Sequence, residues 1–154
     1  MAEMVSEMEA SCGRNLELRI PADTRYISLV RRGIRNLAES AGFTREDVAD
    51  VEVAVGEAVT NSVLHGSPKG AAGDVVVKCR MIEDYLVVEV EDQSPAEKLP
   101  AQSDGCDPYL ERGRGVLMMR ALMDECHDCR TERGIKITMA KQLTARTETK
   151  DRKS

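Results

Sequence analysis

The spacing of apolar residues changes period partway along this chain, and where it changes limits the folds open to it. Ile27, Val30, Ile34, Leu37, Ala38 and Ala41 recur at helical spacing, and Gly42 stops the run. A second helical stretch keeps Val48, Val51, Val55, Ala58, Val59 and Ser62 on one side and reaches about His65, where Gly66 is placed to close it. Thr44 and Asp47 read as a variant capping box at its start. Ahead of both, Leu16, Leu18 and Ile20 alternate in a strand from Asn15 to Ala22 that Pro21 ends. Behind them come strands at 75–81 and 85–91, joined by Ile82-Glu83-Asp84. A short helix from near Gly115 carries Val116, Met119, Arg120 and Met123, and a closing hairpin pairs 126–132 with 135–142. Two long helices bunched ahead of successive strands predict an α+β two-layer sandwich: a mixed, mostly antiparallel sheet with helices on one face.

A chain of 154 residues fits one domain. With no Trp, one Phe and three Tyr, its core must be built from Val, Ile, Leu, Met and Ala. The same shortage of aromatics disfavours holding nucleic acid by base stacking. A formal net charge of −5 repels a phosphate backbone, so no direct nucleic-acid partner is expected, although a local nest of backbone N–H groups could still hold a nucleotide. No run of about 18 apolar residues exists, and the acidic start MAEMVSEMEASCG is no secretory signal, so the expectation is a cytoplasmic chain without a membrane span. Residues 1–14 read as a flexible N-terminus, 15–143 as the folded domain and 144–154 as a disordered tail. The five cysteines, Cys12, Cys79, Cys106, Cys126 and Cys129, are irregularly spaced, as plain thiols of a reducing compartment are. Cys126 and Cys129 form a CxxC without a second ligand pair, and on a strand they would face opposite sides, which suits neither a metal nor a redox pair. Met118, Met119 and Met123 read as core packing against the sheet.

Three polar features remain. Glu57, Asn61 and His65 lie four apart, on one stripe of the second helix beside its apolar face. A carboxylate there can take a proton from a hydroxyl, and an Asn oxygen suits Mg²⁺, which binds together with substrate phosphates. By spacing alone the stripe also describes an ordinary solvated helix face. Asp92 ends the strand Tyr85-Leu-Val-Val-Glu-Val-Glu, where it could accept a hydrogen bond from a base amine or simply make an Asx turn. Arg112-Gly113-Arg114-Gly115 leads straight into a helix, so backbone N–H groups and the helix dipole could meet a polyphosphate, with either arginine adding countercharge. Between Asp92 and Gly115 lies a long aperiodic stretch with three prolines (Pro95, Pro100 and Pro108), of the kind that serves as a lid.

In this order the three features resemble the GHKL (histidine kinase-like) ATPase superfamily and, within it, anti-sigma factor serine-protein kinases of the RsbW and SpoIIAB type. Glu57-Ala-Val-Thr-Asn61-Ser-Val-Leu-His65-Gly66 looks like the N-box and Asp92 like the G1-box aspartate. Gly113-Arg-Gly115-Val-Leu-Met-Met-Arg is similar to the G2 box, and Gly134-Ile-Lys-Ile-Thr138 to the last strand. The resemblance spans residues 15–143. It implies a Bergerat-type ATP-binding fold, with ATP and Mg²⁺ bound and phosphoryl transfer to Ser or Thr. Glu57 would be the catalytic base, Asn61 the Mg²⁺ ligand and Asp92 the contact to the adenine amine. Gly113 and Gly115 would pass their backbone over the phosphates, with Arg112 and Arg114 beside them in the nucleotide site, and Thr138 would sit near the base. It further implies a homodimer that sequesters a sigma factor and phosphorylates a STAS-domain antagonist, in partner switching that regulates transcription or another pathway. In one respect the chain departs from the family. The G1 box continues Asp-x-Gly-x-Gly, whereas here the residues are Asp92-Gln93-Ser94-Pro95-Ala96. That change leaves open a binding-only regulator with weak or absent kinase activity.

Overall fold

The computed structural model describes residues 15–65, 73–93 and 114–143. Strand β1 (Asn15–Pro21) buries Leu16, Leu18 and Ile20 on alternate positions and ends at its proline. Asp23 then caps a single 3₁₀ turn, Thr24–Tyr26, its carboxylate accepting from the Arg25 N–H at 2.9 Å. Helix α1 (Ile27–Ala41) turns Val30, Ile34, Leu37, Ala38 and Ala41 inward. It closes at Gly42, whose φ of 104° is open to glycine at little cost. Helix α2 (Arg45–His65) starts as its sequence foretells: the Thr44 hydroxyl accepts from the Asp47 N–H at 3.1 Å, with Glu46 and Asp47 in the first turn.

Strands β2 (Asp74–Ile82) and β3 (Tyr85–Glu91) form a hairpin turning through Glu83 and Asp84. Helix α3 (Arg114–Leu122) leads into a second hairpin, β4 (Glu125–Arg130) and β5 (Ile135–Gln142). The sheet runs in the order β1-β2-β3-β5-β4, so β5 pairs with β3 and β4 takes the edge. Every pairing among these five strands is antiparallel, so the mixed sheet that was expected is purely antiparallel over the described residues. Strands β3 and β4 run parallel to one another, joined through α3, but β5 lies between them, so no adjacent pair is parallel.

One face of the sheet carries the core. Leu16, Leu18 and Ile20 of β1 meet Val75, Val77 and Cys79 of β2, Leu86, Val88 and Val90 of β3, and Ile135, Ile137 and Met139 of β5. Helices α1 and α2 cover this face, and Met119 of α3 and Met123 just beyond its end complete it. Met118 departs from the expected methionine cluster and is 40% exposed, because helical spacing stacks 119 under 123 and turns 118 about 100° away. Burial pushes the Cys79 thiol up to about 12, so it stays protonated and packs as a small apolar group. The outer face is charged: Glu89 lies between Arg80 and Lys136, each at 3.9 Å. No helix among the described residues is long and apolar enough to cross a membrane.

The expected flexible N-terminus (1–14), disordered tail (144–154), helix-closing Gly66 and nearly all of the lid lie outside the described residues. So do Cys12, Cys106, Arg112 and Gly113, and the side chains of His65, Arg114 and Val116.

Leu18 is fully buried on β1, which among the described residues lies at the sheet edge and pairs with β2 alone. Leu18→Ala is expected to cost about 2–5 kcal/mol, read as a lower urea midpoint at unchanged slope.

Candidate functional site

Helix α2 lies between the other two helices, and different flanks of it touch each. On the flank turned to α1, Arg31 lies across Gly56, where an added Cβ would come within 3.2 Å of its Nε. Glu52 is 3.9 Å from Arg31 and 3.3 Å from Arg35. With Ser28 and Arg32 these residues line a groove of about 220 Å³. In the sequence, the signal for this basic groove is Arg31-Arg32 and Arg35 on the polar side of α1, outside any of the motifs above.

The other flank carries the polar stripe. Glu57 is half-buried, whereas Asn61 is 7% exposed and the neighbouring Ser62 1%. The Asn61 amide nitrogen and the Ser62 hydroxyl have no hydrogen-bond partner among the described residues. A buried polar group left so costs about 1–3 kcal/mol, and such groups in folded proteins call for an explanation. A solvated helix face does not explain this one, because Asn61 is not solvated. Helix α3 packs along α2, which brings the backbone of Arg114 and Gly115, at the N-terminal end of α3, into the helical layer that carries the stripe.

Asp92 follows β3 directly. Leu86, Val88 and Val90 point into the core, so the two-residue period carries Asp92 to that same side, where it is fully buried. Its N–H donates to the Ile135 carbonyl at 3.0 Å, and its Oδ1 accepts from the Ile135 N–H at 3.4 Å. This adds a rung to the β3–β5 ladder beyond Glu91 and Lys136. Asn61 and Asp92 are thus both buried polar groups in a molecule whose core is otherwise almost wholly aliphatic. Gln93 turns back to accept from the Asp74 N–H at 3.4 Å.

Thr138 is not brought to this group. Ile135, Ile137 and Met139 fill the helix side of β5, so Thr138 projects from the charged face, between Glu89 and His127 in register. On β5, Asp92 is bonded to Ile135. Cys126 packs against the core and Cys129 is exposed, facing the two sides of β4. Among the described residues no three His, Cys, Asp or Glu side chains come together as a metal site. Mg²⁺ does not need one, since it commonly takes one or two protein oxygens with the remainder from phosphates and water.

The turn ahead of β5 is tied down on both sides. Thr131 donates from its hydroxyl to a Glu91 carboxylate oxygen and accepts from the Gly134 N–H at 3.0 Å. Arg133 reaches across to Asp74 at 2.8 Å, and Asp74 also takes Arg19 at 2.9 Å. Partial burial pushes the Asp74 carboxyl up, but the hydrogen bonds from Arg133 and Arg19 outweigh it and hold the group below its ordinary value of 3.8.

A family model described as the histidine kinase-like ATPase domain matches residues 20–141. The serine-protein kinase RsbW of Bacillus velezensis is 32% identical over 137 residues, covering 83% of this chain and 85% of that protein. The chain belongs to the histidine kinase-like ATPase family, among the RsbW-type serine-protein kinases. RsbW of Listeria innocua is 31% identical over the same share of the chain and 87% of its own length. Of solved structures, the RsbU and RsbW domains of Rv1364c from Mycobacterium tuberculosis match with a TM-score of 0.65 at 23% identity over 84% of this chain. The chain spans 32% of that longer one. A chain of the SiaB–SiaC complex from Pseudomonas aeruginosa matches at 0.59 and 18% identity, over 91% of this chain and 94% of its own. At those identities the two structures show a common fold: the histidine kinase-like ATPase architecture of one antiparallel sheet under a helical layer.

The lowered Asp74 carboxyl sets the sign of a pH effect. A carboxylate favoured in the folded state adds stability above its unfolded value of about 3.8, and that gain disappears as pH falls through the lower folded value. Urea midpoints of the wild type and Asp74→Asn should therefore differ at neutral pH and converge as the pH is taken below about 4. A gap that persists undiminished into acid would show that the ion pairs are not its source.

Proposed function

We propose that the chain is an ATP-dependent protein-serine/threonine kinase and anti-sigma factor. In this reading it sequesters a sigma factor and phosphorylates a STAS-domain antagonist, working as a cytoplasmic homodimer. The observation that carries the nucleotide site is Asn61, a buried amide with an orphaned nitrogen on the helix that also bears Glu57. Asp92, fully buried on the same side of the sheet, supports it.

These residues fit ATP and Mg²⁺. The Asn61 carboxamide offers Mg²⁺ a neutral oxygen and leaves its N–H₂ to donate to a phosphate. Asp92 offers an acceptor to the exocyclic amine of adenine from a site that excludes water. Arg114 and Gly115, with Arg112 and Gly113 ahead of them, supply N–H groups and positive charge at a helix N-terminus. Thr138 lies on the wrong side of the sheet for the base, and Ile135 takes its place as an apolar neighbour of Asp92.

When bound, the metal neutralises charge developing on the phosphates. Glu57, half-buried one helical turn before Asn61, accepts the proton of the acceptor serine. The serine oxygen bonds to the γ-phosphorus, the bond from that phosphorus to the β–γ bridging oxygen breaks, and ADP departs. Glu57 then gives up its proton to solvent.

The test is transfer of label from γ-labelled ATP to a STAS-domain partner in the presence of Mg²⁺. Glu57→Gln should slow labelling about 10²–10⁴-fold, the usual worth of a general base, while calorimetry shows nucleotide affinity kept within a few-fold. Equal labelling by the variant would remove Glu57 from this role. If the wild type shows no Mg²⁺-dependent nucleotide binding, the altered sequence after Asp92 would then mark a regulator that only binds its partners.

A further inference from the structure

Asp92 sits one residue beyond the paired part of β3, where a chain would ordinarily be leaving the sheet. It stays in line because Ile135 clasps it by a reciprocal pair of bonds, and Ile135 begins β5 immediately after the 131–134 turn. The position of that turn therefore sets the position of the Ile135 N–H, and with it the aim of the Asp92 carboxylate.

Four side chains hold the turn, none of them in the nucleotide site. Thr131 stitches it to β3 through Glu91 and closes it internally by accepting from Gly134. The Thr131 N–H adds a bond to the Gly134 carbonyl at 2.7 Å. Arg133 spans from the turn to Asp74 at the start of β2, a separation of 59 residues in sequence, with its Nε 4.0 Å from Glu91 on the way. Asp74 is itself held by Arg19 of β1 and receives Gln93, the residue next to Asp92, on its N–H. Both neighbours of Asp92, Glu91 and Gln93, are thus engaged by the same cluster.

We propose that the Arg133–Asp74 and Thr131–Glu91 ties form a positioning device for Asp92, fixing the turn so that the carboxylate is aimed at the exocyclic amine of the bound base. The device rests on the assignment of Asp92 to adenine made above. Arg133 and Thr131 touch no nucleotide; they act through the Ile135 backbone. The orienting oxygen is Oδ1, which Ile135 grips at 3.4 Å, a long bond that a small displacement of the turn would break. A carboxylate released in this way rotates about χ2 and no longer presents a fixed acceptor.

The experiment compares ATP with purine-riboside 5′-triphosphate, which matches ATP but lacks the exocyclic amine, by calorimetry on the full chain with Mg²⁺. A hydrogen bond to a carboxylate gives the wild type about a ten- to hundredfold preference for ATP. Arg133→Ala should bring that ratio down several-fold toward one by weakening ATP alone, with affinity for the amine-free nucleotide held. Arg133→Lys should restore part of the preference, because an ammonium can still reach Asp74. Thr131→Val, which cuts the other tie, should act as Arg133→Ala does and settles the matter should the alanine variant not fold. Simple loss of stability would weaken both nucleotides alike and leave the ratio standing. An ATP preference kept at its wild-type value in Arg133→Ala and Thr131→Val overturns the positioning device while sparing Asp92. A wild type without any preference between the two nucleotides overturns the role of Asp92, and the device with it.

Discussion

Aliphatic packing between one face of an antiparallel sheet and two helices governs everything else in this molecule. With almost no aromatic side chains available, the interior is filled by branched and unbranched aliphatics, each of which covers a small area. Such a core is held by many modest contacts and tolerates few gaps. That is why β1 alternates strictly and why α1 needs an αL glycine to turn sharply into α2. It also explains the prominence of Asn61, Ser62 and Asp92. A polar atom in an interior of valines and isoleucines finds few partners by chance, so its presence there calls for a reason.

The fold was legible because period and punctuation agreed. Alternation marked β1, helical spacing marked α1 and α2, and Gly42 and Thr44 marked the boundary between those helices to the residue. The final hairpin was placed correctly at β5, while β4 ends at Arg130 rather than Glu132, since Thr131 is drawn into the turn by Glu91 and Gly134. Spacing could not show that every strand pair is antiparallel. The period of a strand tells which face a side chain takes and nothing about the direction of its neighbour.

The site was only partly legible, and the parity of β5 shows why. The resemblance of the last strand to the family singles out Thr138 as its polar residue. Counting in twos from the buried Ile135 carries Thr138 to the charged side, away from the helices, and that count needs to know which residue is buried. Glu57 and Asn61 were readable because four-residue spacing on a helix fixes a common stripe whatever surrounds it. What spacing could not supply was the burial of Asn61, which sets it apart from a residue on a solvated face. The ties between Arg133, Asp74, Glu91 and Thr131 were beyond reach altogether: they join residues up to 59 positions apart and exist only once the strand order is known.

Burying Asn61 and Asp92 has a thermodynamic consequence that unites these features. A polar group without full satisfaction lowers the stability of the free protein, and a ligand that completes its hydrogen bonds returns that free energy on binding. Because such a ligand binds the folded chain and not the unfolded one, it also stabilises the fold by mass action. The arrangement keeps the cost confined. The orphaned Asn61 nitrogen and Ser62 hydroxyl sit on α2, at the margin of a core that is otherwise aliphatic, and the ties proposed to orient Asp92 lie on the outer side of the sheet, where Asp74 and Arg133 are only partly buried. In the proposed device, rigid alignment would come from the outer side of the sheet, while the acceptor it aligns stays in a dry interior where one hydrogen bond discriminates most strongly.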